Sequence, residues 1–290
     1  EIYLMFLPAF VYFVIFRYWP MVLGIITSFK NLKIGLGIFN SQWVGLENYR
    51  AVFSDPAIVK VISNTVEISL LRIIFGFLPP IILAIVFYDL FTRKFKNICQ
   101  TLVYIPYFFS WVIVYAIVLA TFSTGSGFVN NIIALLGLKR IDFLLSEFWF
   151  RPILIFTDIW KNAGWSSILY TAALSGIDHQ IYESAMIDGA GPIKRIIHIT
   201  IPGIAPVITF SLCLTFGNIL RAGGEQVLLF YNPAVYNVGD IIDTWVYRVG
   251  LGQMQYSVGT AVGLFQSIVG MIMILFTNYL SKRYSNRSIW

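Results

Sequence analysis

Apolar runs of about 20 residues, long enough to cross the hydrocarbon core of a bilayer as helices, recur about six times along this chain. They cover Tyr3 to Ser28, Thr65 to Tyr88, Leu102 to Phe122, Pro152 to Ser175, Gly203 to Leu220 and Val258 to Leu280. The pattern predicts an all-α membrane protein, with 1–290 as a single transmembrane domain. Composition agrees: of 290 residues 58% are hydrophobic and 12% charged, about half the ~25% charged fraction usual for soluble domains. The mean hydropathy is +0.78.

A net charge of +6 raises the question of nucleic acid, but the distribution of the basic residues answers it. They are densest in short loops at one side of the predicted spans: Arg93, Lys94 and Lys96, then Lys194 and Arg195, then Lys282, Arg283 and Arg287. Lipid orientation explains that density, so no nucleic-acid partner is expected. An even number of spans puts both termini in the cytoplasm and 29–64, 123–151 and 221–257 outside. Cys99 and Cys213 are too few, and too differently placed, for a disulfide framework. Glu1 is not a start methionine, so a native amino-terminal piece is expected to precede it. With no signal-peptide cleavage pattern visible, the first span is expected to serve as an uncleaved anchor.

Between the fourth and fifth spans lies the polar, Gly-punctuated stretch ESAMIDGAGPIKRIIHITIP, Glu183 to Pro202. Tyr182 to Met186 can make a short helix, Gly189 and Gly191 permit the positive φ of a sharp turn, and Pro192 suits the first position of a second helix. Pro202 is then expected to open a span. The spacing of Glu183, Ser184, Ala185, Gly189, Ile199, Ile201 and Pro202, with Asp188 and Ala190 completing an Asp-Gly-Ala triplet, resembles the EAA loop of bacterial ABC importer permeases. Ser184 and Ile201 stand where Ala and Leu are commoner, both small changes.

Several spans carry polar groups. Arg17 in the first is expected to snorkel or to face a protein partner. The second holds Glu67 and Arg72, then Pro79 and Pro80, which remove two backbone donors and should bend or break the helix. In the fourth, Asp158 and Lys161 are three apart on one face, placed to offset each other's desolvation, while Asn162 and Trp165 present an amide and an indole together. Thr215, Asn218, Arg221 and Glu225 recur at helical spacing and predict a polar stripe at the end of the fifth span. Gly259 and Gly263 make a small-xxx-small packing face in the sixth. The segment Phe230 to Ser257 mixes Tyr231, Tyr236, Trp245, Tyr247 and Tyr256 with Asn232, Asp240, Asp243 and Arg248, which suits either carbohydrate or an outer aromatic belt.

No GxxxxGK[ST] or GxGxxG sequence occurs, so nothing would cradle a nucleotide. His179 and His198 lack metal-ligand spacing and are expected to be loop-packing residues, and no nucleophile motif stands out. No catalytic and no metal site is therefore expected.

Beyond the loop, FRPILIFTDIWKNAGWSSILYTAALSGID, YNPAVYNVGDIIDTWVYRVGL and QYSVGTAVGLFQSIVG are similar to permeases of carbohydrate ABC importers. The likeness is to the branch taking up complex oligosaccharides and polysaccharide fragments, alginate among the candidates. The resemblance implies a type I importer permease fold with a cytoplasmic coupling helix in 177–202. It implies a second, non-identical permease, two ATPase subunits that hold the ATP and magnesium, and an extracytoplasmic solute-binding protein; no cofactor belongs to this chain. It assigns ATPase coupling to Glu183, Ser184, Ala185, Asp188, Gly189 and Ala190. The sugar path would fall to Asn162, Trp165, Thr215, Asn218, Arg221 and Glu225. The competing expectation is a secondary transporter driven by an ion gradient, with Glu67 or Asp158 carrying the ion.

Overall fold

A computed structural model describes residues 2–90 and 92–285; Glu1 and Arg287, both used above, lie outside the described residues. Helices dominate, with one two-stranded antiparallel ladder, β1 (Lys30–Asn31) on β2 (Gln42–Trp43), in the first long loop. The helices that position the site are α1 (Met5–Ser28), α2 (Glu47–Ser54), α3 (Pro56–Asp89), α4 (Arg93–Phe108) and α5 (Trp111–Phe122). After them come α6 (Phe128–Leu135), α7 (Glu147–Leu174), α8 (His179–Ile187), α9 (Pro192–Gly217), α10 (Gly224–Phe230), α11 (Ile242–Val246) and α12 (Tyr256–Ser285).

Among the described residues α1, α3, α9 and α12 are each long and apolar enough to cross a membrane, and α4 with α5 makes a fifth such element, bent by 102°. The expected fourth span falls on α7, which is not among these helices although its 28 residues reach about 42 Å at 1.5 Å per residue. Its polar middle, around Asp158, Lys161 and Asn162, dilutes its apolarity. That suits its position: Leu154, Ser167 and Leu174 are fully buried and Lys161 is nearly so. The helix packs on α3, α4 and α9 and forms the centre of the bundle.

Among the described residues the core forms three apolar clusters, two of which include α7. Ile68, Leu154, Val227 and Ile241 knit α3 and α7 to α10; Ile58, Val61, Trp245 and Val262 join α3 to α11 and α12; Ile81, Tyr170, Leu174 and Ile204 join α3, α7 and α9. Close approach is set by glycines. A Cβ at Gly164 would run into the Val103 carbonyl, so α7 touches the backbone of α4. A Cβ at Gly270 would meet the Gly217 oxygen at 2.5 Å, where α12 crosses α9. Of the expected pair, Gly259 lies against Gly250, with a notional Cβ 3.2 Å from its Cα, whereas Gly263 has nothing within 4 Å.

Prolines shape the long helices in two ways. Pro79 and Pro80 fall in the first turn of a segment that restarts at Leu78, where helical donors are not needed, so α3 breaks at Phe77 as expected. Pro202, however, does not open a span. The helix begins ten residues earlier at Pro192 and widens to a π-turn over Ile196–Thr200, with Ile201 N–H reaching Ile196 O. The same device precedes Pro20, where Trp19 N–H reaches Val14 O. A wider turn relieves the clash between a proline ring and the carbonyl four residues back. The expected single span from Leu102 to Phe122 is likewise corrected: the chain turns sharply at Phe109, and Ser110 caps α5 through its Oγ, which accepts from Ile113 N at 3.4 Å.

Candidate functional site

The Gly-punctuated stretch folds into a helix, a left-handed turn and a second helix. The Asp178 carboxylate accepts from Gln180 N at 3.0 Å and starts α8 at His179, three residues before the expected Tyr182. Gly189 N–H donates to Met186 O at 3.1 Å and Ala190 N–H to Ala185 O at 2.8 Å, the two crossed bonds of a Schellman motif. Gly189 accordingly has φ +77°. Gly191 differs from expectation: its φ of −66° is one that any residue adopts, and it serves as cap for the Pro192 turn.

Tyr182 fixes the loop to the bundle. Its ring is buried beside Tyr88 at 6.1 Å, and its hydroxyl lies 3.0 Å from Thr200 Oγ1, at the π-turn of α9. Glu183, Ser184, Asp188 and Gly189 are exposed, while Ala185 and Ala190 are half-buried. The apolar tip is bare, with Ile187 87% and Ile193 73% exposed. Both histidines are exposed: the His179 ring lies 6.2 Å from that of Tyr182, and His198 has Nδ1 2.9 Å from Lys194 O.

A cavity of about 860 Å³ lies among α3, α7 and α9, lined by Asn162, Trp165, Thr215, Asn218 and Arg221, together with Arg72 and Asp158. Glu225 does not line it. α9 ends at Gly217, the chain turns, and Gly223 takes φ +78°, which throws Glu225 onto α10 and interrupts the stripe expected from helical spacing. Trp165 stacks on Tyr107 at 4.5 Å with ring planes 5° apart. Thr215 and Asn218 bond back to the carbonyls of Ser211 and Leu214 at 2.7 and 3.0 Å.

The charges inside the bundle pair differently from their sequence spacing. Asp158 accepts from Arg72 Nη1 at 2.9 Å and from Asn162 Nδ2 at 2.8 Å, not from Lys161. Lys161 Nζ donates to the carbonyls of Tyr107 and Phe109, each at 2.6 Å, and lies over the Tyr107 and Trp111 rings, where it pins the sharp turn between α4 and α5. Arg72 also donates to Gln226, whose amide nitrogen reaches Leu154 O at 3.0 Å and Thr157 Oγ1 at 2.8 Å. Glu67 pairs with Arg151. Both carboxylates offered for ion carriage thus hold arginines.

In the segment from Phe230 to Ser257 the aromatic and polar groups satisfy one another. Arg248 pairs with Asp240 at 2.7 Å and donates to Tyr231, and Tyr231 stacks on Tyr236 at 4.3 Å. Burial pushes the Tyr231 phenol above its ordinary value, and the bond to Asp240 raises Arg248. Trp245 is buried in the α3–α12 core, and Tyr247 is exposed.

Residues 68–286 match the model of the family described as "binding-protein-dependent transport system inner membrane component". The chain belongs to that family. The permease is 41% identical over 289 residues to the polygalacturonan/rhamnogalacturonan transport system permease protein YteP of Bacillus subtilis, covering 100% of this chain and 90% of that one. It is 39% identical to protein LplB of the same organism, covering 100% and 91%. Its fold superposes with a TM-score of 0.90 on a chain of a bacterial alginate ABC transporter solved with an alginate pentasaccharide-bound periplasmic protein. That likeness is at 36% identity and covers 99% of this chain and 96% of the other. The permease is thus an inner-membrane transport component with the type I importer fold.

Proposed function

We propose that this chain is the permease subunit of an ATP-driven carbohydrate importer, passing oligosaccharides or polysaccharide fragments handed over by an extracytoplasmic solute-binding protein. In this role it is not itself catalytic. A second permease, expected to be non-identical, completes the passage, and two ATPase subunits hold the ATP and magnesium. The loop 177–202 faces the cytoplasm and seats its Ile187–Ile193 tip in a groove of an ATPase, with Glu183 and Asp188 meeting basic residues there. The cavity carrying Asn162, Trp165, Thr215, Asn218 and Arg221 is the sugar path, aromatic stacking and amide hydrogen bonds being the means of holding a glycan.

The observation carrying this reading is the Schellman turn at Gly189. It presents an exposed apolar tip on a short helix anchored through Tyr182, in a chain 41% identical to a permease named for polygalacturonan and rhamnogalacturonan transport. Differential grip on that tip in two nucleotide states is what would move the bundle, since a partner binding both states equally shifts nothing. Uptake of a radiolabelled oligosaccharide into vesicles carrying the assembled importer tests it. Vanadate is expected to stop uptake and an ionophore to leave it unchanged. The reverse pattern contradicts the proposal and favours a gradient-driven carrier.

A further inference from the structure

We propose that the loop between α1 and α2 is a membrane-interface anchor, lying flat on the leaflet opposite the 177–202 loop and holding anionic phospholipid headgroups at Lys33. Two contacts fix its depth. Leu32 N donates to Ser257 Oγ at 2.8 Å, and Ser257 stands in the first turn of α12, immediately before the apolar run Val258 to Leu280. Phe53, at the far end of α2, meets Phe265 edge-on at 5.1 Å, about two turns farther along α12. The connection therefore stays at the bilayer surface rather than standing clear of it. Its side follows from α3, which starts beside α2 at Pro56 and carries at its other end Tyr88, 6.1 Å from Tyr182.

The loop turns polar backbone inward and apolar side chains outward. β1 on β2 closes it. Ser41 Oγ accepts from Lys33 N at 3.1 Å and donates to Gly37 O at 2.6 Å, and Lys30 Nζ donates to the carbonyls of Ile38 and Phe39 at 3.0 and 2.8 Å. Trp43 stacks on Phe29 at 5.8 Å with ring planes 9° apart. Ile34, Leu36, Phe39 and Trp43 are left bare, Phe39 being 67% and Trp43 61% exposed. Backbone groups that are already paired enter a headgroup region without the penalty of unsatisfied donors and acceptors, and a Trp among apolar neighbours is what that region favours. Met21 and Ile25 of α1, both exposed, continue the surface toward the hydrocarbon. Charge decides the kind of lipid. From Phe29 to Ser54 the basic residues Lys30, Lys33 and Arg50 stand against a single acid, Glu47, three positions before Arg50 on α2. Lys33 is exposed and makes no ion pair among the described residues. A lysine beside an apolar patch lays its stem along the acyl boundary and offers its ammonium to headgroups, where a net anionic lipid is attracted and a zwitterionic one is not.

The test places an NBD fluorophore on Phe39→Cys, as the only cysteine of the assembled importer, in phosphatidylcholine nanodiscs. Small equal fractions of phosphatidylglycerol or phosphatidylcholine bearing a nitroxide on the acyl chain are then added, and quenching reports contact with each lipid. Both lipids are expected to quench, with phosphatidylglycerol preferred about fivefold, the effect of one lysine at a membrane surface. Lys33→Gln should bring that preference close to unity while quenching persists, and Lys33→Arg should retain it. A label quenched by aqueous iodide and by neither lipid would show the loop in water and overturn the proposal. A label reached by neither iodide nor lipid would show a protein partner covering it, with the same consequence. Equal quenching by the two lipids in the otherwise unaltered loop, or a preference that survives Lys33→Gln or is lost in Lys33→Arg, overturns the role of the Lys33 charge. Transport enters none of these readings, so they stand or fall separately from the importer assignment.

Discussion

At the scale of single residues, the bundle is governed by points where a helix touches backbone or where a charge finds a carbonyl. Gly164 is the sharpest of the first kind. Gly164→Ala must push α7 off the Val103 carbonyl, an overpacking expected to cost about 3 kcal/mol. Gly263→Ala, at a site with open space, should be neutral or gain up to about 1 kcal/mol from helix propensity. Thermal unfolding of the purified importer checks the pair: a clear drop in Tm for the first and none for the second is expected, and equal drops would contradict the packing described. Neither result follows from sequence spacing, which marked Gly263 and passed over Gly164, because a small-xxx-small pattern shows which face is thin but not what lies opposite. The same limit explains Asp158. Spacing along one helix identifies its neighbour Lys161, but the group that neutralises it comes from Arg72, far away in the chain, and only the fold brings the two together. Arg72 itself was legible as an arginine inside an apolar run, where a partner is required.

At the scale of elements, the legible features were those with a local cause. Apolar length foretold four of the six expected spans, and a fifth as a bent pair; paired prolines foretold the break in α3; glycine and proline foretold the turn between α8 and α9. Features settled by geometry elsewhere were missed. The turn at Phe109 depends on Lys161 reaching across from α7, and the passage of α9 through Pro202 depends on a π-turn, whose hydrogen bonding leaves no periodic signature. The loop element carries a direct prediction. Gly189→Val places a β-branched residue at φ +77°, which costs about 1–2 kcal/mol and opposes the left-handed turn. That penalty is too small to prevent insertion but sufficient to redirect the tip. Membrane-inserted protein at the normal level, with oligosaccharide uptake lost, is the expected outcome. Uptake at the wild-type rate with coupled ATP use would show that this turn transmits nothing.

At the scale of the whole molecule, two regions lie along one framework. The cavity is walled by α3, α7 and α9, and α9 grows directly out of the exposed loop through the Pro192 turn. Tyr182 binds the loop to Thr200 at the base of α9 and packs against Tyr88 at the end of α3. On the proposed reading, a displacement of the tip passes through these contacts into two of the helices that line the cavity, as packed elements pass on small shifts. Cross-linking tests this arrangement most directly. Ile187→Cys is introduced with Cys99 and Cys213 replaced by alanine, and oxidation is carried out on the assembled importer with single cysteines placed in the ATPase groove. A disulfide to the ATPase, formed to different extents in the nucleotide-free and vanadate-trapped states, is the expected result. A residue at position 187 that cross-links to no ATPase in either state, or that a membrane-impermeant thiol reagent labels from outside the cell, would contradict it.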